Sequence, residues 1–421
     1  MTITAGGPRV EATRPVRLRQ LPGLDGLRAI AVVAVIVFHL DPHWLPGGYL
    51  GVDIFFVISG YLITALLLSE YQRTGHVGLR RFWGRRARRL LPALGVLLLA
   101  VVLLAACFAR DALAAMRGDV PASIFYVLNW RLLFQHDSYA ASFGRPPLLQ
   151  HLWSLSVEEQ FYLLWPPILL VLRRRLSRVQ IAGVALAGAV LSGGLMAALF
   201  HPGGNPSAVY FGTETHAEGL LLGCALAAAV PPWRMTAAVA PAARRLLERA
   251  GMAAMLVVLA GLVVLGFNSS ATYRGGMFLV DVATLVVVAT VAHPASRLGE
   301  ALGRQPFRWL GLRSYSLYLW HWPIFEMTRP GPDLSWSTVP DVLLRLALTA
   351  AAAELSYRYV ERPWRDGRAQ FALRVRLASM PRSQLAAVAA APLALVAVVL
   401  ATAPGPAEPA VLSEGATAAA R

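Results

Sequence analysis

The chain has 421 residues, 57% of them hydrophobic and only 15% charged, with a mean hydropathy of +0.55. That composition excludes an ordinary soluble domain and a disordered chain. The net charge of +16 does not mark a nucleic-acid binder, because all 39 basic residues are arginines standing in short clusters between apolar segments instead of on one face or tail.

The first apolar stretch, "GLRAIAVVAVIVFHL" at 26–40, is predicted as a membrane helix and not a cleaved signal, since "HLDPHWLPGG" offers no small-residue cleavage site. Eleven positions separate Arg28 from His39. At about 100° each they make roughly three turns plus 20°, so a helix sets both side chains on one face, about 16 Å apart. Apolar windows of bilayer-crossing length recur at 24–41, 49–69, 90–109, 152–172, 179–200, 212–230, 251–267, 276–293, 314–328, 341–360 and 385–403. The fold class is therefore all-α, a polytopic transmembrane helix bundle of about 10 core helices plus one C-terminal helix. Residues 1–20 form a cytoplasmic tail, 21–366 the main transmembrane domain, 367–384 a cytoplasmic linker, 385–403 the additional helix and 404–421 a Pro-, Ala- and Gly-rich tail predicted to be disordered and extracytoplasmic. No internal repeat is visible. Cys107 and Cys224 lie inside apolar segments, with neither metal spacing nor a disulfide framework, and read as small buried hydrophobes.

With the N-terminus inside, 29 of the 39 arginines fall in inner segments and seven in outer ones, which supports a multi-pass protein of the cell inner (plasma) membrane with a cytoplasmic N-terminus. Two connections stand out. The outer segment 110–150 carries Tyr126, Trp130 and Tyr139, suiting a surface helix or an acceptor-binding element. The inner loop "RRFWGRRARRLLP" at 80–92 is either a topology signal touching lipid headgroups or an anion site, since guanidinium binds phosphate bidentately.

Ionisable groups at membrane depth are costly and so are functional candidates. His39, Asp53, Glu158, Glu159, Glu214, His216, Glu218 and His321 are all predicted in the outer half of the bundle. Blander readings exist. Asp53, Glu214 and Glu218 are near enough to the surface to be solvated, Asp281 suits a structural partner for a buried Arg or His, and His321 suits a satisfied core histidine. An imidazole oriented by a carboxylate suits general-base work on a hydroxyl, but a transporter's proton relay would use the same groups.

The segments "LPGLDGLRAIAVVAVIVFH", "GGYLGVDIFFVISGYLI", "RRARRLLPAL", "HLWSLSVEEQFYLLWP", "SYSLYLWHWPIF" and "YRYVERPWR" together resemble the acyltransferase-3 family of bacterial integral-membrane O-acyltransferases, over about residues 20–366. The resemblance implies transfer of an acyl group, usually acetyl from acetyl-CoA (acyl-CoA as donor substrate), onto a carbohydrate or glycoside acceptor such as a cell-envelope polysaccharide or an antibiotic sugar. It makes Arg28 and His39 the family's essential pair. Arg86 and Arg89 match its Arg-x-x-Arg motif, with Arg85 and Arg88 as a second register. Glu158 and Glu159 match its acidic pair, His321 its Trp-His-Trp-Pro histidine, and Ser59 with Gly60 its Ser-Gly on the second helix. On this basis Arg28 and the arginines of 80–89 would hold the donor's phosphates, His39 would act at the thioester or acceptor, and Glu158 or Glu159 would orient His39; no metal is required. Relatives sharing "YLWHWPI" and "VERPW" often continue into an extracytoplasmic SGNH-type domain. Here about seventeen residues follow Pro404 and no Gly-Asp-Ser motif appears, implying either a separate SGNH-type transferase or direct transfer. The rival class is a transporter or flippase for acyl donors or glycolipids, which would release no CoA thiol.

Overall fold

The computed structural model describes residues 21–134, 145–334, 337–369 and 382–403. The expected N-terminal tail, Tyr139, most of the 367–384 linker and the 404–421 tail lie outside the described residues. Among those described, the chain is helical, with no β-structure beyond an isolated bridge between Pro330 and Leu334.

Helix α1 (Pro22–Leu40) begins on a proline whose fixed φ suits a first turn. Next, α2 (Gly51–Thr74) ends where Gly75 turns left-handed at φ 71° and returns its N–H to the Tyr71 carbonyl. The third helix, α3 (Leu79–Phe108), is 30 residues long, and the outer segment after it holds α4 (Leu113–Ile124) and α5 (Leu128–Phe134). Two residues join α6 (Trp153–Arg175) to α7 (Arg178–Leu199), which opens on a Ser177–Gln180 capping box. The short α8 (Ser207–Tyr210) precedes α9 (Glu218–Ala229), α10 (Pro241–Val264) and α11 (Met277–Ala292). Last come α12 (Arg297–Leu302), α13 (Phe307–Met327), α14 (Thr338–Ser356), α15 (Arg362–Arg365) and α16 (Arg382–Ala401).

Every expected membrane span contains a helix, and among the described residues seven helices are long and apolar enough to cross a bilayer. The boundaries correct the sequence reading in several places. The arginine run of 80–92 is not a loop, because α3 starts at Leu79 and carries it as helix. The helix expected over 212–230 begins only at Glu218. Before it, Thr215 Oγ1 donates to the Val209 carbonyl (2.6 Å) and the Ala217 N–H donates to Ser192 (3.1 Å), local bonds that compete with helix formation. The shortest expected span, 314–328, belongs to the 21-residue α13. Cys224 is buried as expected, but Cys107 is exposed on the last turn of α3.

Two tight helix pairs position the site. Along its length α1 packs on α13, and α2 packs on α9. A Cβ at Gly311 would lie 1.7 Å from the Asp25 carbonyl oxygen, and one at Gly60 1.9 Å from that of Leu220. Only glycine permits these backbones to approach so closely, and in α2 that sets the position of the neighbouring Ser59.

Candidate active site

Helix α1 delivers Arg28 and His39 to two different cavities. The first, about 360 Å³, has Arg28, Arg85, Arg86 and Arg89 on its wall and, among the described residues, Glu158 as its one lining carboxylate. The second, about 200 Å³, is lined by His39, His151, Tyr49, Trp153, Tyr210 and Trp322. Val52 and Tyr318 belong to both walls and stand between the cavities. The unbroken helix from Pro22 to Leu40 sets Arg28 and His39 about 16 Å apart along its axis.

In the arginine cavity packing sets which of the arginines turn inward. Phe82 and Leu90 are buried, and Arg86 and Arg89, four and seven residues after Phe82, share that inward face. Arg88 is exposed and lines neither cavity, while Arg85 sits at the rim, 3.8 Å from Glu70. The Arg86 guanidinium lies 3.3 Å above the Tyr162 ring centre and 3.3 Å from Glu159. Glu158 accepts hydrogen bonds from the Ser59 and Tyr162 hydroxyls. Arg28 lies 3.4 Å from Asp25. Both Arg86 and Arg89 keep a buried Nε–H with no acceptor, so donors remain unspent beside the cavity.

In the histidine cavity the hydrogen bonds fix the tautomers. His321 Nδ1 is 2.7 Å from the Tyr318 carbonyl; a carbonyl only accepts, so that nitrogen carries the hydrogen. In the neutral ring His321 Nε2 is then a lone pair, and it meets His39 Nδ1 at 3.1 Å. His39 must therefore donate from Nδ1, which leaves its Nε2 as a bare base. Trp322 packs edge-on against His39 at 4.7 Å between ring centres and donates its Nε1–H to the Pro147 carbonyl (2.9 Å).

A residue that sequence reasoning missed completes this cavity. Pro323 has no N–H, so the carbonyl four residues earlier, that of Leu319, lacks its helical donor. His151 Nε2 fills the vacancy at 3.1 Å, and its buried Nδ1 has no partner. Tyr318 donates its hydroxyl to the His151 carbonyl (2.7 Å) and lies 2.5 Å from Ser154 Oγ, pinning the partition residue to the start of α6. A proline one turn after a leucine carbonyl was the legible hint, but nothing in the sequence said which donor would answer it.

The candidates do not converge on one place. Glu158 contacts Ser59 of α2 and Tyr162 of its own helix, Glu159 contacts Arg86 of α3, and the partner on His39 Nδ1 is His321 where a carboxylate was expected. Asp53 and Glu218 are fully buried, not solvated; Asp53 Oδ1 lies 2.8 Å from His216 Nε2. Neither Asp53 nor His216 lines the two cavities. Glu214 is exposed. Asp281, expected beside a buried Arg or His, has no hydrogen-bond partner on either oxygen.

Residues 21–357 match the family model described as an acyltransferase domain. Over 348 residues the chain is 42% identical to the peptidoglycan O-acetyltransferase OatA of Listeria monocytogenes, a match covering 82% of this chain and 56% of that protein. Over 347 residues it is 41% identical to the O-acetyltransferase OatA of Staphylococcus aureus, covering 82% of this chain and 57% of that protein. The matched region thus spans little more than half the length of these relatives. No solved structure matches the chain.

Proposed function

We propose that this chain, which belongs to the acyltransferase-3 family, moves an acetyl group from cytoplasmic acetyl-CoA to a hydroxyl of a cell-envelope carbohydrate, with the arginine cavity facing the cytoplasm. The observation that carries the reading is the pair of adjoining cavities on α1, one walled by guanidiniums and the other by imidazoles, to which Arg28 and His39 are delivered about 16 Å apart along the helix axis. CoA has the matching polarity, with phosphates at one end and a thioester at the end of a flexible arm. Its phosphates suit Arg28, Arg86 and Arg89, because guanidinium stays charged at any working pH and binds phosphate through paired N–H groups. Its arm would pass between Val52 and Tyr318.

At the far end His39 Nε2 takes the proton of the acceptor hydroxyl as the oxygen attacks the acyl carbon. The C–S bond then breaks, the ester forms, and the proton passes from His39 to the departing thiolate, giving free CoA. His321 keeps Nε2 of His39 as the unprotonated nitrogen. Glu158 and Glu159 act on the donor side, holding Tyr162 and Arg86 in place. The relatives' names, which specify peptidoglycan for the Listeria protein, favour a cell-envelope acceptor over an antibiotic sugar.

The test is free-thiol release from acetyl-CoA by the purified protein in nanodiscs, with peptidoglycan fragments and other glycans as acceptors, each with and without an added SGNH-type transferase. Acceptor-dependent release that His39→Ala loses about 1000-fold supports the reading, and the added transferase reports whether a partner completes the transfer. Equal release by wild type and variant, or acyl-donor flux across vesicles with no thiol formed, overturns it in favour of a transporter.

A further inference from the structure

Away from both cavities, three carboxylates meet inside the bundle. Asp53 from the first turn of α2, Glu218 from the first turn of α9 and Asp281 from α11 are each fully buried, with one oxygen from each within 4.8 Å of the others. Their partners are too few for their charge. His216 uses both ring nitrogens, on Asp53 and on the Tyr210 carbonyl, each at 2.8 Å, and supplies at most one positive charge. The Ser192 hydroxyl is shared between Glu218 (3.2 Å) and the Glu214 carbonyl (2.8 Å). Among the described residues Asp53 Oδ2, Glu218 Oε1 and both oxygens of Asp281 have no hydrogen-bond donor. Unpaired buried carboxylates are among the costliest groups a protein interior can hold.

Two further observations point to a missing positive partner. Thr284, one turn along α11 from Asp281, is also fully buried with its hydroxyl unpartnered. Gly219 packs beside the orphaned carboxylate without a side chain to crowd it: a Cβ there would stand 3.2 and 3.3 Å from the two Asp281 oxygens and 3.2 Å from Phe56 Cβ.

We propose that Asp53, Glu218 and Asp281 bind a divalent, oxygen-preferring cation of calcium size, at a site separate from the acyl-transfer cavities. Oxygens sharing one such ion at about 2.3–2.6 Å can be no more than about 5 Å apart, which is the spacing observed. With His216 contributing at most one positive charge, at least two negative charges are left, and a divalent ion balances them. The free donors are all hard oxygens, and both His216 nitrogens are taken, which disfavours zinc and copper. Bound there, the ion ties α2, α9 and α11 together, and α2 is the helix that presents Val52 and Ser59 to the cavities.

The test is equilibrium binding of radioactive calcium, with a thermal unfolding scan, on the full chain stripped with chelator in nanodiscs of zwitterionic lipid. One saturable ion per chain and a raised unfolding midpoint are expected, with affinity falling at least about tenfold in Asp281→Asn and unchanged in Glu214→Gln, the exposed neighbour. Helical circular dichroism and a monodisperse elution profile check that Asp281→Asn is folded. If it is not, Thr284→Val serves instead, with an expected severalfold loss of affinity. No saturable binding by wild type, or the same loss in Glu214→Gln as in Asp281→Asn, overturns the proposal; in the first case the carboxylates are held neutral by protons. Because the readout is ion binding, either result leaves the acyl-transfer reading standing or falling on its own test.

Discussion

The two cavities hold polar groups in opposite ways. The arginine cavity has four permanently charged side chains on its wall and buried Nε–H donors with nothing to bind. The histidine cavity has two imidazoles in assigned tautomers among aromatic rings and, among the described residues, no carboxylate or arginine on its wall. One end is built to recognise charge whatever the pH, and the other to present a neutral lone pair. If that division is correct, damage at one end should change binding and damage at the other should change turnover.

The sharpest way to break the comparison is at His321, which on the proposed mechanism is a positioning residue acting through its contact with His39. His321→Leu removes the acceptor for His39 Nδ1–H, so the ring is free to carry its proton on Nε2 instead. The expected outcome is a fall in kcat of about 100-fold with KM for the donor little changed. His321→Gln keeps a side-chain acceptor at that place and should recover about tenfold of the loss. Steady-state kinetics on the two variants separate this from a structural role, which would move both together or leave Gln no better than Leu.

Next in size is the arginine side. Arg86→Ala or Arg89→Ala should raise KM for the donor about 10- to 100-fold through loss of a charge-assisted contact, while Arg88→Ala should stay within about twofold because its side chain is exposed and lines neither cavity. Isothermal titration with CoA would check it. Equal losses from Arg88 and Arg89 would mean that the cluster acts as a diffuse basic surface and not as a built site.

These contrasts also mark what the sequence made legible. The shared stripe of Arg28 and His39 was readable because helical periodicity needs nothing beyond spacing. The choice between Arg85/Arg88 and Arg86/Arg89 was not, since all four lie within two turns and the inward face is set by Phe82 and Leu90 packing on other helices. Depth misled in a different way. Asp53, His216, Glu158 and His39 were all placed on one side of the membrane, and a one-dimensional span gives depth but no bearing around the bundle. The structure separates them into the two cavities and the carboxylate cluster. The late start of α9 was hidden because side chains of a Thr- and His-bearing segment satisfy its backbone locally.

The smallest expected effect comes from outside the bundle, where an ion-pair clasp supports the histidine cavity. Arg145 donates to both oxygens of Asp333, at 3.0 and 2.9 Å, and to Asp111 at 3.0 Å. This clasp fastens the segment carrying Pro147 and His151 to the loop after α13. Partial burial pushes the Asp333 carboxyl up, but hydrogen bonds from Arg145 and Arg329 outweigh it and hold the group at about 2, below its ordinary 3.8. A depressed acid stabilises the fold when ionised, so the contribution is complete above about pH 4 and is lost as pH falls through about 2. Asp333→Asn should cost about 2 kcal/mol at neutral pH. Its unfolding midpoint should also fall less steeply than that of wild type between pH 4 and 2. Donor affinity, which the proposed function assigns to the arginine cavity, should change by less than about twofold. Identical acid profiles for the two proteins would mean that the clasp carries no stability and that the histidine cavity is held by its internal bonds alone.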